Sequence, residues 1–188
     1  WRMMPRPPLE ITLEDGPGGL KVVLLYTAFE NFPAIARSVR IICGECPLTL
    51  TRALSLALDF PDSAYTMLQL SGSWARERHI YTRPLAPGIQ AIDSKRGSSS
   101  HMQNPFMALL APCAGEDHGE VFGFSLVYSG SFYAGVEVDQ FGTSRALMGI
   151  NPFGFSWRLA PGDEFQTPEA VLVYSDRGLG GMSHAYHE

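Results

Sequence analysis

Hydrophobic and polar positions alternate along most of this chain with a period of two, the pattern of strands that bury one face. Leu9–Glu14 sets Leu and Ile against Glu and Thr, and the turn residues Asp15-Gly16-Pro17-Gly18-Gly19 follow it. The apolar run 20–29 comes next, so the two segments predict a β-hairpin. Ala34–Ile42 carries Ile35, Val39 and Ile41 against Arg37 and Arg40. Residues 48–60 alternate Leu48, Leu50, Leu54, Leu56 and Leu58 with Thr49, Thr51, Ser55 and Asp59. Their Ala and Leu content would suit a helix, but the period of two predicts one strand.

Further strands are predicted at 65–70, 78–82, 106–111, 120–128, Phe132–Val138, Ser144–Ile150, 155–159 and 164–174, with Gly, Pro, Asn and Asp in the connectors. Many short strands without an intervening helical pattern predict an all-β fold, an antiparallel β-sandwich, with residues 1–188 as a single domain. The tail 178–188 (GLGGMSHAYHE) differs, and its residues after the glycines predict a short C-terminal helix start. The Asn-Pro-Phe at 104–106 and again at 151–153 is an echo without a period.

Composition narrows the class. The 188 residues are 45% hydrophobic and 18% charged, which excludes a disordered tail, a collagen-like repeat or a disulfide scaffold. The net charge of -5 disfavours nucleic acid or an anionic membrane as partner, since either needs a concentrated basic face. No stretch reaches the ~18 apolar residues of a membrane helix, and residues 1–8 hold two Arg and three Pro with no apolar segment. Cys43, Cys46 and Cys113 are an odd number in a mid-sized chain, which does not read as a disulfide framework. Asn31, Asn104 and Asn151 lack the glycosylation pattern. Together these features predict a reducing, cytoplasmic setting.

Candidate chemistry is sparse. Cys43-Gly44-Glu45-Cys46 has no second ligand pair at zinc spacing and no βαβ context, so it reads as a turn, with no metal and no cofactor expected. Residues 93–101 (DSKRGSSSH) lack the order of a phosphate loop, and Asn104-Pro105 interrupts any following helix. The same stretch crowds Asp93, serines and His101 together, but no Gly-x-Ser-x-Gly elbow accompanies them. Glu116, Asp117, Glu137, Asp139, Asp163 and Glu164 sit in turn-like sequence and form no recognisable acid–nucleophile pair. Residues 71–79 (SGSWARERH) are the most informative, because Trp74 stands beside Arg76, Glu77 and Arg78. An aromatic face with neighbouring charges suits a sugar ring, its C–H side stacked and its hydroxyls hydrogen-bonded. The alternative is a Trp that closes one end of the sandwich beside a surface Arg–Glu pair.

Six stretches in order, SGSWARER (71–78), KRGSSSHMQNPF (95–106), GEVFGFSLVYSG (119–130), VEVDQ (136–140), GINPF (149–153) and FQTPEAVLVYSDRGLGGMS (165–183), together resemble the glycoside hydrolase family 36 α-galactosidases. The resemblance runs from about Leu9 to the C-terminus. It implies an N-terminal supersandwich of the galactose-mutarotase-like kind, followed in the family by a (β/α)8 barrel and a C-terminal β domain. It implies retaining hydrolysis of terminal α-galactosyl groups in melibiose- and raffinose-type sugars by the full enzyme, which is expected to be a homo-oligomer. The family's catalytic aspartates lie in the barrel. No catalytic residue is therefore expected here, and the chain reads as part of an N-terminal domain that does not hydrolyse substrate alone.

By the same resemblance Trp74 matches a position that contacts substrate and walls the galactose pocket. Arg76, Glu77 and Arg78 are expected to shape that loop, and 95–106 to pack the sandwich or meet a neighbour. Met102, and the pair Cys43 and Cys46, depart from the family pattern. Two readings follow: an accessory domain that helps form the sugar pocket and subunit contacts, or a stand-alone carbohydrate-binding or assembly module that has lost its barrel.

Overall fold

The computed structural model describes residues 8–187. In chain order the strands are β1 (Leu9–Glu14), β2 (Lys21–Ala28), β3 (Ala34–Ile42), β4 (Leu48–Leu50) and β5 (Leu54–Phe60). They continue as β6 (Thr66–Ser73), β7 (Arg76–Pro84), β8 (Gly88–Asp93), β9 (Gln103–Leu110) and β10 (Val121–Val127). The last are β11 (Phe132–Val138), β12 (Ser144–Ile150), β13 (Trp157–Leu159), β14 (Glu164–Gln166) and β15 (Glu169–Ser175), before the helix α1 (Gly178–His187). All strand pairs are antiparallel. A large sheet runs β1-β2-β3-β15-β10-β9-β6-β7 with β14 also on β3, and a small sheet runs β5-β12-β11-β8. β4 and β13 form a separate ribbon. The expected antiparallel β-sandwich is what the chain forms.

Alternation decides which side chains enter the core. From the small sheet, Leu56, Phe132, Val136 and Met148 meet Met67, Met107, Leu109, Phe124 and Leu126 of the large sheet. The intervening residues Leu68, Ala108, Leu110, Val121 and Val173 face the other way, where Met182 of α1 covers them. The helix lies so close that a Cβ on Gly123 would fall 2.6 Å from the Met182 sulfur. α1 is too short and polar to cross a membrane, as no described helix is long and apolar enough to do so.

The two edges of the small sheet are tied to the large sheet by arginines. Arg37 of β3 donates through Nη1 to the Ala57 carbonyl of β5 at 2.6 Å. Arg83 of β7 donates through Nη2 to the Ala91 carbonyl of β8 at 3.2 Å. At one end of the sandwich the buried Asn151 joins three segments: its Nδ2 donates to Asp93 Oδ2, to the Ser94 carbonyl and to the Phe132 carbonyl at 3.0–3.2 Å. Its Oδ1 accepts the Phe153 N–H at 2.9 Å.

Several strands differ from the sequence expectation. Residues 48–60 are two strands, because the chain leaves the β4 ribbon at Thr51 and enters the small sheet at Leu54. Ala53 between them is buried, and its carbonyl accepts the Ile150 N–H at 3.3 Å. Residues 164–174 also divide, at Thr167-Pro168, where proline has no N–H for the ladder. Thr167 fills the gap by exchanging two bonds with Val39, backbone N to carbonyl and Val39 N to Oγ1, each 2.9 Å. β8, for which the sequence pattern gives no strand, is a six-residue strand that begins at Gly88, just after Pro84 and Pro87. β9 begins at Gln103 and runs through Pro105, beside a register shift in its pairing with β6.

Two outcomes test this packing by urea denaturation. Phe132→Ala empties a fully buried site and is expected to cost about 3–5 kcal/mol, whereas Phe141→Ala, 81% exposed, should stay within about 0.5 kcal/mol. Asn151→Asp replaces a donor by a carboxylate facing three acceptors, so it should cost more than Asn151→Ala, itself about 1–3 kcal/mol.

Candidate functional site

The run 71–79 folds as the tip of a hairpin, with Trp74 and Ala75 as the two residues between the Ser73–Arg76 pair. Ala75 takes the left-handed conformation, φ 62°, that such a turn needs at its second position. Its N–H donates to Glu77 Oε1 at 3.0 Å, so the carboxylate props the turn from the following strand. Below it, Gly72 sits at a register shift where a Cβ would lie 2.1 Å from the Arg76 carbonyl oxygen. Only glycine allows the two strands to approach this closely.

Trp74 is 84% exposed. At that exposure it does not close one end of the sandwich. Arg76 and Glu77 are not an ion pair among the described residues; Glu77 is engaged by the turn backbone instead. An indole held outward by a tight hairpin presents both faces to a neighbouring molecule.

The 95–103 loop supports the base of this hairpin. The Gly72 N–H donates to the Met102 carbonyl at 3.0 Å. Gln69 Nε2 donates to Ser71 Oγ at 2.8 Å, and Ser71 Oγ donates to Gln103 Oε1 at 2.6 Å. The sequence expectation of a structural loop packing the sandwich agrees with these contacts. On its other side Ser94 Oγ donates to the Ser98 carbonyl, and Gly97 N–H to Ser131 Oγ at 2.9 Å. Lys95 pairs with Asp93 at 3.1 Å and lies 5.5 Å from the Phe153 ring centroid. Asp93 is thus bound to Lys95 and Asn151, and no hydrogen bond joins it to His101 among the described residues. The crowding of Asp, Ser and His in sequence does not become a relay.

The other candidates hold turns in shape. Cys43 is buried and donates its thiol to the Cys46 carbonyl at 3.2 Å, while Cys46 is exposed, and both are free thiols. Gly44 between them packs on Gly18 and Gly19, where a Cβ would fall 2.0 Å from a carbonyl oxygen. No cluster of three or more His, Cys, Asp or Glu placed to hold a metal ion occurs among the described residues. The Thr143 hydroxyl, helped by backbone N–H groups of the β11–β12 turn, holds the Asp139 carboxyl below the usual range. Arg145 does the same for Asp59 through a two-point hydrogen bond. Carboxyls so stabilised as anions are unsuited to donating a proton to a leaving group.

Glu77, Gly72, Gln69 and Gln103 carry the support of the hairpin. Glu77 was placed in the loop-shaping role by its motif; the two glutamines stand in strands without any distinguishing pattern and had no sequence signal.

Residues 6–160 match the glycosyl hydrolase family 36 N-terminal domain. The chain is 58% identical over 181 residues to alpha-galactosidase AgaA of Geobacillus stearothermophilus, covering 96% of this chain and 25% of that protein. It is 43% identical to alpha-galactosidase Mel36A of Lactobacillus acidophilus, covering 95% and 25%. A solved structure of AgaA in complex with stachyose superposes with a TM-score of 0.94 at 57% identity, over 96% of this chain and 25% of that one. The fold is also that of a galactose mutarotase related enzyme from Lactobacillus acidophilus, at a TM-score of 0.52 and 8% identity. The chain spans about a quarter of the length of the curated relatives it matches. By its match over most of its length, this chain belongs to the N-terminal domain family of the family 36 glycosyl hydrolases.

Proposed function

We propose that the chain is a non-catalytic N-terminal domain of a cytoplasmic α-galactosidase, and that Trp74 forms one wall of the pocket that receives a terminal α-galactosyl group. The observation that carries this reading is the 84% exposed indole on a hairpin braced by Glu77, Gly72 and the 95–103 loop. An exposed indole in water has an unfavourable apolar surface, which a sugar ring's C–H face or a partner protein would cover. The relatives are alpha-galactosidases about four times as long, which leaves ample chain for a catalytic barrel in the parent. On this reading residues 1–188 are one domain, the acid and nucleophile come from the barrel, and the reaction retains configuration. The same end of the sandwich, with Phe153 70% exposed beside Lys95, also offers surface for subunit contacts in a homo-oligomer.

Three measurements test it. The isolated chain is expected to release no product from an aryl α-galactoside; turnover lost on substitution within the chain would overturn the non-catalytic assignment. In the parent enzyme, Trp74→Ala should raise KM for melibiose by about 5- to 30-fold, the equivalent of about 1–2 kcal/mol of stacking. An unchanged KM would remove Trp74 from the pocket. Gly72→Ala leaves the indole in place but forces its new methyl against the Arg76 carbonyl, so KM should rise in the same direction while urea stability falls by about 1–3 kcal/mol. If instead the isolated chain binds melibiose as tightly as the parent, it is a complete carbohydrate-binding module, because part of a pocket should bind more weakly than the whole.

A further inference from the structure

A hollow of about 550 Å3 lies behind the Trp74 hairpin, on the inner face of the large sheet. Strand register brings its walls together. Gln69 pairs with Tyr81, Ser71 with His79 and with Gln103, and Ser73 with Arg76, so these side chains share one face. Met67, two residues before Gln69 on that face, is fully buried in the inter-sheet core. The hollow is therefore the continuation of the core surface, with polar residues in place of apolar ones.

The hydrogen bonds inside it are ordered in one direction. Ser71 Oγ accepts a hydrogen bond from Gln69 Nε2 and donates one to Gln103 Oε1. A hydroxyl has a single proton, so the two amides meet Ser71 in opposite senses, one through its nitrogen and the other through its oxygen. That leaves Gln69 Oε1 as an acceptor and Gln103 Nε2 as a donor, neither with a protein partner among the described residues. Tyr81, His79 and Arg76 line the same hollow and also lack a hydrogen-bond partner among the described residues, and Tyr81 is 55% exposed.

We propose that this hollow is a binding site for a neutral sugar ring, built by this chain alone. One free acceptor and one free donor on the same face match vicinal hydroxyls, each of which both donates and accepts a hydrogen bond. The Tyr81 ring supplies an apolar face for the C–H side of the ring. An anion would satisfy Arg76 and His79 but would meet the Gln69 carbonyl oxygen, acceptor against acceptor. The site is separate from the Trp74 face and does not depend on a catalytic domain.

The test is a titration of the isotope-labelled chain with galactose and with melibiose, and separately with sodium sulfate, followed by two-dimensional amide NMR. Either sugar is expected to give saturable shifts at the Gln69 and Gln103 side-chain amides and at the Ser71 and Tyr81 backbone, with a Kd of about 1–20 mM. Gln103→Glu keeps side-chain volume but removes the Nε2 donor, and Tyr81→Ala removes the apolar ring face; each should weaken the sugar by about threefold or more. The well-dispersed spectrum of each variant reports its folding, and Tyr81→Ala, at an exposed position, suffices if Gln103→Glu does not fold. No saturable shift at these groups up to about 100 mM sugar, or shifts with sulfate alone, would overturn the proposal. Shifts confined to Trp74 would also overturn it while leaving the Trp74 reading intact.

Discussion

Among the described residues the large sheet is wider than the small sheet that packs on it, and the rest of the arrangement follows from that mismatch. The small sheet has four strands, and these lie over the middle of the large one: β5 over β3 and β15, β12 over β10, β11 and β8 over β9. Burial of apolar area is the main stabilising term, so the buried core is confined to this overlap. Among the described residues the same inner face continues beyond it on both sides. On the β1 side it shows Leu9, Ile11 and Leu13, all exposed. On the β6–β7 side the same face turns polar, from Met67 to Gln69 and Ser71. The edges of the small sheet would otherwise leave strand carbonyls unpaired, and Arg37 and Arg83 reach across to occupy one on each side.

An overhanging edge is also where a hairpin can project. β7 is the edge strand of the large sheet, and its turn with β6 holds Trp74 clear of the body. Stiffness comes from three local devices: the left-handed Ala75, the Glu77 carboxylate under its N–H, and the strand crossing that only Gly72 permits. A fourth tie, Gly72 to Met102, fastens the hairpin to the 95–103 loop. That loop is fixed in turn through Asp93 and Ser94 to Asn151, which makes the Asn151-Pro152-Phe153 turn part of the same support. Preorganisation of this kind lowers the ordering cost that a binding partner must meet.

Much of this was legible in the sequence, and the failures have specific causes. The Asp15–Gly19 turn and its two flanking strands pair as the alternation required, Leu9 opposite Tyr26 through Glu14 opposite Lys21. The runs at 48–60 and 164–174 each divide where distant pairing takes over: Leu48 and Leu50 pair with β13 instead of joining the small sheet, and across Thr167-Pro168 the face shared with Arg37 and Ile41 of β3 passes from Phe165 to Ala170, an odd to an even position. β8 gave no strand signal because Pro84, Pro87 and Gly88 stand at its start. Trp74 stood out by its neighbours, but its exposure depended on a two-residue turn that the run of charged residues disguised. Gln69 and Gln103 are 34 positions apart and meet only through strand pairing on Ser71.

The sequence alone therefore determined the strand content, the sandwich class and the family, because these rest on local periodicity and on contiguous motifs. Which strands share a sheet, how far one sheet overhangs the other, and which side of the overhang is polar were decided only in the tertiary structure. Those properties come from contacts between residues far apart in the chain, and no local pattern encodes the separation at which two strands will meet.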